Sequence, residues 1–101
     1  MDGYPVSPGH VLITTRRHVE DFFDTTAEER VAIMEALCRA RNVLANADGF
    51  NIGVNVGQAG GQTVAHVHVH LIPRYRGDVP DPRGGVRWVL PQKAGYWRPG
   101  D

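Results

Sequence analysis

Cysteine occurs once in the 101 residues, at Cys38, so no intrachain disulfide can form and a reducing compartment is the expected home. No apolar run approaches the roughly 20 residues of a membrane-spanning helix. The start, Met1-Asp2-Gly3-Tyr4-Pro5, has neither the basic charge nor the apolar core of a secretory signal. These absences point to a cytoplasmic protein with no membrane partner. A charge excess of either sign is also missing, because 11 basic residues balance 11 acidic ones. No global field draws the chain to nucleic acid, stable nucleic-acid binding is not expected, and any anion site must be local. A chain of this length supports one domain, residues 1–101, with a modest core.

Glycine and proline, by contrast, are well supplied, at 12 and 7 residues, and they divide the chain with tight turns. Pro5-Val6-Ser7-Pro8-Gly9-His10 is turn chemistry, and it leads into the β-branched run Val11-Leu12-Ile13-Thr14-Thr15, a first strand. Thr26-Ala27-Glu28-Glu29 matches a capping box, so a helix starts there. Apolar residues at Ile33, Met34, Leu37, Ala40 and Leu44 give it a core-facing stripe, and the helix is expected to end near Asp48-Gly49. Cys38, inside this helix, reads as a small buried apolar residue.

Residues Phe50–Val56 alternate as a half-buried strand, the Gly57–Gly61 loop follows, and Val64–Ile72 is the clearest strand of all. One long helix and a mostly antiparallel sheet make an α+β domain with its core in residues 2–74. The extension, residues 75–101, is rich in Pro, Gly and Arg and has no assignable regular structure. Trp88 and Trp97 stand in it as isolated anchors, and Pro99-Gly100-Asp101 reads as a frayed end.

Side chains alternate across a strand, so Val67, Val69 and Leu71 share one face, as does Ala65, while His66, His68 and His70 share the other at about 6.6 to 6.8 Å spacing. Three buried imidazoles would each need a partner, which argues against a purely structural role. Two chemistries remain open. Alternating histidines can converge on zinc. An imidazole can also attack phosphorus and form a covalent phosphohistidine. The neighbouring Asn55, Gly61, Gln62 and Thr63 supply amide, hydroxyl and backbone N–H donors, whereas a metal site would favour another Asp, Glu or Cys. The phosphate reading is preferred and zinc stays as the alternative. Arg16-Arg17-His18 reads as a solvated turn. Arg74, Arg76, Arg83 and Arg87 read as solvated loop arginines, with contact to distal phosphates as the alternative.

The run Gly61-Gln62-Thr63-Val64-Ala65-His66-Val67-His68-Val69-His70-Leu71-Ile72-Pro73-Arg74 resembles the signature of the histidine-triad family. Pro5–Ile13, Arg17-His18-Val19, Phe23-Asp24 and the capped helix resemble it in the same order, from about Asp2 to Arg74. The resemblance implies that His68 is the nucleophile, its ring oriented by the His66 carbonyl, and that His70, Gln62 and Thr63 contact phosphoryl oxygens and assist the leaving group. It also implies that Asn55 is a further phosphate contact, His10 supports the triad from behind, and Asp2 holds the ribose hydroxyls. Gly61 completes the substrate-binding set.

The chain starts where the ribose-binding strand of a complete member would be ending, so the segment that lines the base pocket is absent from it. Ile72-Pro73-Arg74 is closer to the fragile-histidine-triad and diadenosine-polyphosphate-hydrolase branch than to the phosphoramidase branch, whose Gly-Gly-Arg and Trp-Pro-Pro-Gly ending is missing. The implied protein is a homodimeric hydrolase of dinucleoside polyphosphates or related nucleotides. It requires no cofactor, apart from a divalent metal accompanying the polyphosphate. Hydrolysis of a nucleoside phosphoramidate or adenylyl conjugate, or nucleotide binding with little catalysis, are the alternatives.

Overall fold

Thr26 starts the long helix α1, Ala27–Val43, in the computed structural model, which describes residues 6–97. The Thr26 hydroxyl accepts from Glu29 N at 3.1 Å, and the Glu29 carboxylate accepts from Thr26 N at 2.8 Å. The expected capping box is therefore complete. The helix stops at Val43, earlier than the expected Asp48-Gly49. A turn closes from Ala47 N to Leu44 O, and Asp48 N already donates to Arg74 O in the sheet. Gly49 is thus the first residue of a strand rather than a helix cap.

Among the described residues the sheet has three antiparallel strands in the order β1 (Val11–Ile13), β3 (Val69–Arg74), β2 (Gly49–Val54). Ile13 pairs with Val69 and so does Val54, so the ladder on both sides of β3 begins at Val69. Residues 64–68, expected to be strand, lie outside the ladder on both sides and bend instead. Ala65 is exposed as a result, while the alternation holds from His66 onward: Val67, Val69 and Leu71 are buried and His66, His68 and His70 half-buried. β1 ends at Ile13 because the Thr15 hydroxyl donates to Arg17 O at 2.6 Å and turns the chain. β3 continues through Pro73, which lies beyond the Val11–Leu71 end of the β1 register. There Ser7 Oγ caps its carbonyl at 2.9 Å.

Helix α1 covers one face of the sheet. Ile33 and Leu37 meet Ile13, Val69 and Leu71 in the core, with Ala36, Ala40, Leu44 and Phe50 packed around them. Gly9, at φ +84°, crosses over Leu44 so closely that a Cβ would sit 2.7 Å from its Cδ2. Two expected core positions are not buried. Met34 is 59% exposed and Cys38 is exposed, because each lies one position, about 100° of helical turn, past a buried residue. They border a groove between α1 and β2.

The extension also folds. A 3-10 turn spans Gly85–Val89 and a short helix, α2, spans Pro91–Ala94, with Ala94 fully buried. Trp88 and Trp97 pack edge to face, with ring centroids 6.4 Å apart, and Gly84, at φ +96°, fits beneath them. They anchor one another rather than standing alone. Asp2 and the terminal residues 99–101 lie outside the described residues.

Candidate active site

The face of the sheet away from α1 carries the site. In β3, His70 lies between Leu12 of β1 and Gly53 of β2. Behind it sits His10, 2% exposed, with Nε2 3.0 Å from His70 Nδ1. Val6 N–H donates to His10 Nδ1 at 3.2 Å. A neutral imidazole has one donor and one acceptor nitrogen, so His10 Nδ1 accepts and His10 Nε2–H donates to His70. His70 Nδ1 is then the acceptor, and its own proton lies on Nε2.

The same reasoning orients His66. Its Nε2 lies 3.1 Å from Thr15 O and 3.3 Å from Thr15 Oγ1, whose hydrogen goes to Arg17 O, so His66 Nε2 is the donor. His18 is exposed as expected of a turn. Its ring nevertheless lies against His66 with centroids 5.1 Å apart, a contact the sequence did not signal. Val67 N donates to Val19 O at 2.7 Å, so the turn after β1 straps the bent triad segment in place. The His68 ring lies 6.1 Å from that of His66, and among the described residues it has no hydrogen-bond partner. The implied bond from His68 to the His66 carbonyl is not formed, since residues 64–68 leave the regular ladder.

A cleft of about 370 Å³ brings together His68, His70, Asn55, Gly61, Gln62 and Thr63. His66 and His10 are not in its wall. The backbone N–H groups of the glycine loop, expected as donors to an anion, are largely engaged within the loop. Gly60 N and Gln62 N donate to Gly57 O and Gly61 N to Gln58 O, closing a 3-10 turn at Gln58–Gly60. Gln62 is also engaged: Nε2 donates to Glu20 O at 2.7 Å and Val64 O at 3.1 Å, and Oε1 accepts from Gly57 N at 2.9 Å. Its amide braces the loop and has no N–H left for a phosphate. The Asn55 and Thr63 side chains, both exposed, line the same cleft.

The loop arginines have partners of their own. Arg74 forms a 2.7 Å pair with Asp78, whose carboxyl is held well below the usual range first by that guanidinium and then by Tyr75 N–H. Arg74 also donates to Asn51 Oδ1 at 2.6 Å. Arg83 lies over Trp97 and Arg87 over Tyr96, each at 4.8 Å. Arg76, 91% exposed, stays 3.8 Å from Asp48. At the entrance to α1, Arg17 pairs with Glu29 at 2.7 Å, and this bond, followed by the Thr26 N–H, lowers the Glu29 pKa to about 2. Among the described residues, no three His, Cys, Asp or Glu side chains converge as metal ligands, and no helix is long and apolar enough to cross a membrane.

Comparison with known proteins places this geometry. A profile of the HIT domain matches residues 1–77. An AP-4-A phosphorylase of Mycobacterium tuberculosis is 39% identical over 79 residues, which is 74% of this chain and 40% of that protein. An asymmetrical bis(5'-nucleosyl)-tetraphosphatase of Schizosaccharomyces pombe is 39% identical over 77 residues, 73% of this chain and 42% of that protein. The chain therefore spans less than half the length of these two relatives. Among solved structures, a zinc-bound histidine triad family protein from Mycobacterium smegmatis superposes with a TM-score of 0.68 at 36% identity, covering 80% of this chain and 66% of that one.

Proposed function

The chain belongs to the HIT family, and from that premise we infer that it transfers a nucleotidyl group from a dinucleoside polyphosphate or related nucleotide to His68 and then to water. The relatives named for diadenosine tetraphosphate phosphorolysis and dinucleoside tetraphosphate hydrolysis support that substrate class. The observation that carries the reading is the cleft that brings His68 and His70 together with Asn55, Gly61 and Thr63, with His10 bonded to His70 behind it.

A free ring nitrogen of His68 attacks the α-phosphorus, a P–N bond forms, and the P–O bond to the leaving phosphate breaks. Asn55, Thr63 and the Thr63 N–H donate to the phosphoryl oxygens as charge builds on them. His70 Nε2–H hydrogen-bonds the departing oxygen. Water then attacks the phosphorus, the P–N electron pair returns to His68, and the nucleoside monophosphate releases its extra proton to solvent. Asp2 is the expected ribose contact, and a divalent cation travels with the polyphosphate.

The relatives named as an AP-4-A phosphorylase and a bis(5'-nucleosyl)-tetraphosphatase favour this substrate class over a phosphoramidate.

The reading extends to a cytoplasmic homodimer, supported by the lone cysteine and by the exposed groove between α1 and β2. The test is AMP release from diadenosine tetraphosphate by purified protein and by His68→Asn. Turnover is expected to vanish in the variant, with AMP affinity kept within about tenfold. An active His68→Asn protein refutes the covalent route, and AMP binding without turnover by the unaltered chain reduces it to a binding module.

A further inference from the structure

We propose that the C-terminal extension builds a second subsite beside the triad, which holds the nucleobase of the departing half of the substrate. The proposal rests on the transfer reaction above and adds a residue-level account of its specificity.

On the open face of the sheet, His70 and Asn55 border two cavities at once. The first contains His68. The second, about 310 Å³, does not, and is walled by Val6, Ile72 and Val86 with Asn51 on its floor. Displacement at phosphorus is in line, with the leaving oxygen opposite the nucleophile. With His68 on one side and the His70 proton at the leaving oxygen, the departing half exits past His70 into the second cavity.

The chemistry of that cavity selects which part of the departing half it holds. Its described walls are aliphatic side chains, two amides and the two imidazoles of His10 and His70, with no Lys, Arg, Asp or Glu side chain among them. A chain of phosphates gains nothing there and stays in the open mouth, where water and its cation screen it. The base is the flat, uncharged part, and aliphatic faces with an adjacent amide suit it.

The extension positions the wall. Val86, 62% exposed, belongs to the Gly85–Val89 turn, which packs against β2. Trp88 Nε1 donates to Arg83 O at 2.8 Å, and a Cβ on Gly85 would lie 3.3 Å from Asn51 Nδ2, so the turn and the cavity floor meet directly. Arg74, bonded to Asn51 Oδ1, fixes the floor amide from the other side.

The experiment compares kcat/KM for diadenosine tetraphosphate and adenosine 5'-tetraphosphate, which share the scissile bond and differ in the second nucleoside, in the unaltered protein, Val86→Asp and the near-isosteric Val86→Thr. The expected preference for the dinucleotide is about tenfold or more in the unaltered protein, below about threefold in Val86→Asp and intermediate in Val86→Thr. Partial misfolding lowers both constants in proportion and leaves the ratio unmoved, so the ratio reads the subsite. An unaltered protein that cleaves both substrates equally, or variants that keep its preference, overturn the subsite alone. Failure to cleave either substrate overturns the transfer reaction and the subsite with it.

Discussion

His10 Nε2 lies 3.0 Å from His70 Nδ1, and this contact between two residues 60 positions apart holds the His70 ring at the wall of the cleft. His10→Ala leaves His70 free to turn and to change tautomer. Turnover is expected to fall by about ten- to a hundredfold through lost orientation, with AMP affinity changing much less. Single-turnover kinetics separate the two. A kcat equal to that of the unaltered protein would remove His10 from the mechanism.

Gln62 is tied by its amide to Glu20 O, Val64 O and Gly57 N. In Gln62→Glu, a carboxylate oxygen faces two carbonyl oxygens and two hydrogen bonds are lost. Urea unfolding is expected to show a loss of about 1–3 kcal/mol, with a fall in turnover as the loop beside His68 loosens. If Gln62 instead acts only as a phosphate donor, the variant keeps full stability and loses nucleotide affinity.

Glu29, with its pKa lowered to about 2 by Arg17 and the Thr26 N–H, links stability to pH. A carboxylate with a depressed folded-state pKa contributes stability above its unfolded pKa, near 4.3, and the contribution disappears as pH falls through the folded value. Glu29→Gln keeps a side-chain oxygen for the capping box and removes the charge. The stability difference between the unaltered protein and this variant should be full at pH 6 and shrink between about pH 4.5 and 2. A pH-independent difference would show that the ion pair is not its source.

Met34 and Ile52, 59% and 52% exposed, flank the groove between α1 and β2, and the proposed homodimer covers it. Met34→Glu with Ile52→Lys should shift sedimentation velocity to the monomer at micromolar concentration. A monomeric unaltered protein, or a double variant that still dimerises, argues against this face.

The capping box and the alternation of the triad were legible because each depends on near neighbours. Thr26 and Glu29 are one helical turn apart, and a pleated chain sends Val67, Val69 and Leu71 to one side and His66, His68 and His70 to the other whatever the rest of the fold does. The strand limits were not legible, because β3 starts only where β1 and β2 offer hydrogen bonds, at Val69. Nor was the exposure of Cys38 and Met34, which turns on about 100° of helix rotation against a sheet the sequence does not place.

Residue types at the site were determined by the sequence itself: three alternating imidazoles, a fourth in the turn before β1, and amide and hydroxyl groups beside them. Their roles were decided by tertiary structure. His70 meets His10 across the fold, the Gln62 amide is engaged because Glu20 O is within reach, and Val86 lines a cavity because the extension packs against β2. A hydrogen-bonding group takes the partner that packing brings near, and packing joins residues by distance in space, which the order of residues along the chain does not contain.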